Sequence, residues 1–122
     1  MDVRILLVDD QAAYRRAMSS VVEETRGFVV VGEASSGEES IVVAARTFPD
    51  LVLMDVNLPG IDGMQATRLL RAGDPRPVVV LFSTYDEDVG QHFVAESGAA
   101  AYVTKSAFGP DRLLRCWRAA IG

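Results

Sequence analysis

Short, nearly unbroken apolar runs alternate along this chain with longer stretches in which apolar residues recur every three or four positions. Val3 to Val8, apolar but for Arg4, has the pattern of a strand buried on both faces of a parallel sheet. Tyr14, Ala17, Met18, Val21 and Val22 follow at helical spacing, with Arg15, Arg16, Glu23 and Glu24 off that stripe, and Gly27 is expected to end the helix. Phe28 to Gly32 is a β-branched strand. Ser36 and Gly37 then open a helix with the stripe Ile41, Ala44, Ala45 and Phe48, stopped by Pro49. Leu51 to Met54 form a third strand that ends at Asp55. After it, Asn57, Leu58, Pro59 and Gly60 read as a turn, with Gly60 free to take a positive φ. A helix over Gly63 to Ala72, a strand over Pro77 to Phe82 and a helix over Asp86 to Ser97 closed by Gly98 come next. A strand over Ala100 to Thr104 and a helix over Pro110 to Ile121 complete the alternation.

Five strands alternating with five helices predict an α/β fold, a doubly wound five-stranded parallel sheet with helices on both faces. Strand order 2-1-3-4-5 places a switch point between strands one and three, where ligands bind at the carboxyl ends. Asp9, Asp10 and Asp55 would meet there, with Ser83 arriving from strand four and Lys105 from strand five.

Three carboxylates about 5 Å apart repel by about 3 kcal/mol per pair at an effective dielectric near 20. A protonated acid could relieve this, but a hard divalent ion suits the oxygen donors better, and Mg²⁺ held by carboxylates, waters and a phosphate is a typical case. His92 and Cys116 lie apart on different helices, so no zinc cluster is visible. With an ion in place, Asp9 and Asp10 can hold it and Asp55 can offer an oxygen to phosphorus. Ser83 and Lys105 are then the expected donors to the phosphoryl oxygens.

Composition narrows the field. The 122 residues are 49% hydrophobic, enough for one compact domain with a core. A net charge of −5 argues against this segment gripping a nucleic acid. One cysteine, Cys116, excludes an internal disulfide, and the first apolar run is too short for a signal or a membrane span. A soluble, cytoplasmic domain with no membrane partner is expected.

Taken together, "VDD" closing strand one, "LVLMDVNLPGIDG" around Asp55, Ser83 closing strand four and "AYVTK" ending at Lys105 resemble a bacterial response-regulator receiver domain over essentially the whole chain. That resemblance implies a flavodoxin-like receiver fold and a single receiver domain spanning 1–122. It implies that Asp55 accepts a phosphoryl group from a sensor histidine kinase, with Mg²⁺ bound by Asp9, Asp10, Asp55 and the backbone carbonyl of Asn57. Ser83 and Lys105 would contact the phosphoryl group, and Tyr102 would be an aromatic rotamer switch. "VVGEASSGEE" and "FSTYDED" look most like the subfamily that carries a C-terminal LuxR-type helix-turn-helix output domain, a segment not among these 122 residues. An output domain or a homodimer partner is therefore expected, with DNA reached only through the segment absent here.

One departure stands out: the family usually has proline, often cis, after the lysine, and Ser106 stands there. A cis bond before serine would cost about 3 kcal/mol, so either a trans bond with a shifted loop or a strained cis bond is expected. Simpler roles are also open. Asp10 equally suits an N-cap, Ser83 a turn, Tyr102 half-buried packing, and Arg112, Arg115 and Arg118 a solvated helix face. The alternatives are a stand-alone receiver acting by protein–protein interaction and, as a rival class, a small phosphatase or phosphotransferase with an aspartyl intermediate. The enzyme reading suffers from Asn57 standing where such enzymes place a second acid. A cofactor-binding flavodoxin lacks its glycine-rich loop here.

Overall fold

Burial on both faces is what makes the strands read as apolar runs, and the computed structural model, which describes residues 2–122, shows it directly. Strands β1 (Val3–Val8), β2 (Phe28–Ala34), β3 (Leu51–Asp55), β4 (Val78–Ser83) and β5 (Ala101–Thr104) form one parallel sheet in the order β2-β1-β3-β4-β5. Helices α1 (Ala12–Glu24), α2 (Gly37–Thr47), α3 (Gly63–Ala72), α4 (Glu87–Ser97) and α5 (Pro110–Ile121) connect them, with a 3-10 turn at Lys105–Ala107. Side chains alternate across the sheet. Leu6, Val8, Val52, Met54, Val79 and Leu81 pack toward α2, α3 and α4, whereas Ile5, Leu7, Leu51, Leu53, Val80 and Phe82 pack toward α1 and α5. The expected fold class and strand order are those observed.

Local chemistry sets the helix ends. Ser36 caps α2 by accepting from the Glu39 N–H at 3.0 Å. Asp62 caps α3 and Asp86 caps α4 in the same way, and Gly98 closes α4 at φ +85°. Gly60 takes φ +74° in the turn after β3, as its position there demands.

The larger departures from the sequence reading are at α1, β2 and Phe48. α1 stops at Glu24 rather than running to Gly27, because the Thr25 hydroxyl donates back to the Val21 carbonyl at 2.7 Å; Gly27, at φ +88°, then turns the chain into β2. β2 runs on through Glu33 and Ala34. A bulge at Val31 resets its pairing with β1, and as an edge strand it tolerates Glu33, which pairs with Arg15 at 3.0 Å. Phe48 is not part of the buried stripe of α2. The proline after it disfavours helical backbone, so Phe48 becomes the left-handed C-cap at φ +48° with its ring 60% exposed. Cys116 and Trp117 pack against the α1 and α5 side of the core. Arg112, on the face read as solvated, reaches Glu87 of α4 at 3.7 Å. Among the described residues no helix is long and apolar enough to cross a membrane.

Candidate functional site: an acidic crevice at the strand ends

Parallel strands end on one side of the sheet, so the residues after β1, β3, β4 and β5 share one rim. Asp9 follows β1 and is fully buried, Asp10 beside it is exposed, and Asp55 ends β3 with its side chain 5% exposed. One carboxylate oxygen from each of Asp9, Asp10 and Asp55 lies within 4.8 Å of the others. The hard oxygen donors fit a divalent cation such as Mg²⁺ better than a soft metal.

The acids are not left to repel one another unopposed. The Lys105 ammonium donates to Asp9 Oδ2 at 2.9 Å and to Asp55 Oδ2 at 3.4 Å. Asp9 Oδ1 accepts from the Gln11 N–H at 2.8 Å, and Asp55 Oδ1 from the Asn57 N–H at 3.2 Å. Arg15 donates to the Asp9 backbone carbonyl at 2.6 Å and fixes the strand end. Even so, burial first and the Asp9 charge second push the Asp55 carboxyl up to about 6, against the downward pull of Lys105 and the Asn57 N–H. Burial works against the Lys105 ammonium, but its hydrogen bond to Asp9 and the charges of Asp55 and Asp9 outweigh it, and its pKa is raised.

Asp10 is not an N-cap. α1 starts at Ala12 with Gln11 in the cap position and no side-chain cap bond, and the Gln11 N–H is held by the Asp9 side chain. The Asp10 carboxylate stays with the cluster instead. The peptide bond after Lys105 is trans, with the lysine still directed at Asp55, so Ser106 in place of proline neither forces a cis bond nor removes Lys105 from the crevice.

Ser83, at the end of β4, is buried and its hydroxyl accepts from the Asn57 side-chain amide at 3.2 Å. Tyr102 on β5 is buried rather than half-buried; its hydroxyl donates to the Tyr85 carbonyl at 2.5 Å and burial pushes its pKa up. Phe93 stands edge-on to Tyr102, with ring centroids 6.4 Å apart. The Tyr102 ring fits because Gly90 of α4 has no side chain: a Cβ there would overlap ring carbons Cδ2, Cγ and Cε2. Gly90→Ala is expected to expel the ring, break its bond to Tyr85 and return its phenol toward the ordinary tyrosine pKa. Titration followed by the Tyr102 ring resonances checks this, and an unchanged buried signature would contradict it.

Three contributors carried no signal in the sequence pattern. Gly63 and Gly90 act by close approach across the fold. Arg15 was readable only as a polar residue off the α1 stripe. Tyr14 was readable only as a member of the apolar stripe of α1.

The fold and crevice define a flavodoxin-like α/β domain with an oxygen-rich acidic pocket at its switch point. Residues 5–117 match the family model of the response regulator receiver domain, and the chain belongs to that family. Response regulator GacA of Pseudomonas viridiflava is 42% identical over 105 residues, covering 86% of this chain and 49% of that protein. Response regulator UvrY of Escherichia coli K12 is 34% identical, covering 86% and 48%. The chain thus spans about half the length of these relatives. A LuxR-family two-component response regulator from Aurantimonas sp. superposes with TM-score 0.86 at 34% identity, covering 98% of this chain and 84% of that one. The response regulator domain of Thermotoga maritima CheB superposes at 0.88 with 24% identity, covering 100% and 98%, which speaks to the fold alone. Receiver domains bind Mg²⁺ at an acidic pocket, and the three aspartates form such a pocket here.

Proposed function

We propose that the chain is the phosphoacceptor domain of a two-component signalling system, in which Asp55 takes a phosphoryl group from a sensor histidine kinase. The observation that carries this is the meeting of Asp9, Asp10 and Asp55 within 4.8 Å, with Lys105 Nζ 3.4 Å from Asp55 Oδ2. Asp9, Asp10, Asp55 and the Asn57 backbone carbonyl would hold Mg²⁺, which when bound neutralises charge on the carboxylates and on the incoming phosphate.

Asp55 presents a carboxylate oxygen in line with the phosphorus; the new O–P bond forms as the P–N bond to the kinase histidine breaks. An ionised carboxylate needs no general base, which agrees with a crevice built without histidine. Lys105 and the Ser83 hydroxyl balance the equatorial oxygens. To reach them, Ser83 would exchange its bond with Asn57 for one with the phosphoryl group. The Tyr85 backbone, only two residues on, would carry that change to Tyr102, the aromatic switch. The domain would assist only its own phosphorylation and dephosphorylation, since Asn57 stands where a turnover phosphatase would want an acid.

The LuxR-family likeness supports transcriptional output through a helix-turn-helix domain outside these residues, with partners being that domain, a second copy, or both. DNA would be met only through that segment, and the setting would be cytoplasmic. Incubation with a small acyl phosphate is expected to add one phosphate to the intact protein with Mg²⁺ and none with a chelator. Uptake unaffected by the chelator, or none in either case, would overturn the reading.

A further inference from the structure

Lysine carries a flexible four-carbon stem, so an ammonium that must stand at a fixed point in a crevice needs more than its own rotamer preferences. The acids of this crevice hold Lys105 now, yet they are also the groups a divalent ion would engage. A partner that a cation does not take would keep the ammonium in place through the reaction. The aromatic face of Tyr14 is such a partner: Lys105 Nζ lies 4.4 Å from the ring centroid. The same side chain reaches the other end of the residue, its hydroxyl donating to the Lys105 carbonyl at 3.4 Å, where the 3-10 turn begins.

Building on the phosphoacceptor reading, we infer that Tyr14 is a positioning residue that holds the Lys105 ammonium toward Asp55. Its phenol stays neutral and able to donate, since burial first and the charges of Asp9 and Asp55 next push its pKa to about 12. Beside it, Ala17, Met18, Val21 and Phe108 form an apolar wall with no competing acceptor for the ammonium.

Two measurements on Tyr14→Phe and Tyr14→Leu test this. The first is the NMR shift of the Lys105 ε-methylene protons, which a nearby ring face moves upfield without any phosphorylation. Wild type and Tyr14→Phe are expected to show the displacement and Tyr14→Leu to lose it. The second is the rate of phosphate uptake from a small acyl phosphate with Mg²⁺. Tyr14→Phe should stay within about two-fold of wild type and Tyr14→Leu should fall by about three- to thirty-fold, the range a cation–π contact supplies. An undisplaced lysine in wild type, or Tyr14→Phe falling as far as Tyr14→Leu, would overturn the assignment. Absence of uptake by wild type would instead condemn the acceptor reading, and the NMR arm would still decide whether Tyr14 holds the ammonium.

Discussion

Exchanging Asp55 for asparagine is expected to abolish phosphate uptake and, in the absence of divalent cations, to make the folded domain more stable at neutral pH. The first effect follows from removing the only carboxylate in the crevice that the account assigns as nucleophile; a drop of more than about 100-fold is expected, since an amide offers no ionised oxygen. The second follows from electrostatics. The carboxyl of Asp55 is raised from 3.8 to about 6, so the folded state holds its proton more tightly than the unfolded chain does. Its contribution to stability is fully present below about pH 4 and is lost as pH rises through about 6. Above that window the ionised carboxylate is a burden on the fold. The full shift corresponds to about 3 kcal/mol, and solvent reaching the cluster through exposed Asp10, with relaxation around the charge, brings the expected gain in Asp55→Asn to about 1–2 kcal/mol. Denaturant unfolding across pH checks it: the variant's advantage should be absent near pH 4 and complete by pH 7, and saturating Mg²⁺ should shrink it by stabilising wild type. A variant less stable than wild type at pH 7 without metal would mean that the Lys105 ion pair outweighs burial and the Asp9 charge.

Gly63→Ala should be among the most damaging small substitutions in the chain. Gly63 is the first residue of α3, donates its N–H to the Val56 carbonyl at 2.9 Å, and packs flat against the end of β3. A Cβ at this position would overlap the Asp55 carbonyl oxygen and stand 2.9 Å from both the Asp55 carbonyl carbon and Val56 Cα. Those are backbone atoms, so no rotamer change relieves the clash. Either α3 lifts away from the sheet or the Asp55 backbone moves. A loss of about 3 kcal/mol is expected, with a melting temperature lower by on the order of 10 °C. Where the protein still folds, displacement of Asp55 by a fraction of an ångström should slow phosphate uptake by one to two orders of magnitude, on the order of the cost of misplacing a reacting group. Wild-type melting and uptake in this variant would show that the Asp55 carbonyl is not held by the close approach of α3.

The convergence of Asp9, Asp10, Asp55, Ser83 and Lys105 was legible in the sequence for a simple reason. Strands buried on both faces announce themselves as apolar runs, and a parallel sheet puts the residues after those runs on one rim. The turn at Gly60 and the caps at Ser36 and Gly98 were legible because their chemistry is local. What the pattern hid depends on contacts between distant segments. Nothing in the spacing says that Gly63 faces the Asp55 carbonyl, that Gly90 leaves room for Tyr102, or that Tyr14 lies under Lys105. The start of α1 was hidden for a related reason: Asp10 suits a cap by residue type, yet the helix begins one residue later, with Gln11 at the cap position and its N–H held by buried Asp9. Phe48 scored as a stripe residue by spacing, while the proline after it sent it into solvent.

In the proposed reaction one oxygen of Asp55, alone among three neighbouring carboxylates, takes the phosphoryl group. Borohydride reduces an aspartyl phosphate to homoserine and leaves a free carboxylate untouched. Peptide mass mapping after acyl phosphate treatment with Mg²⁺ and reduction should find the reduced residue at position 55 and nowhere else. Reduction at Asp9 or Asp10, or phosphate retained through the treatment on a serine or threonine, would contradict the account.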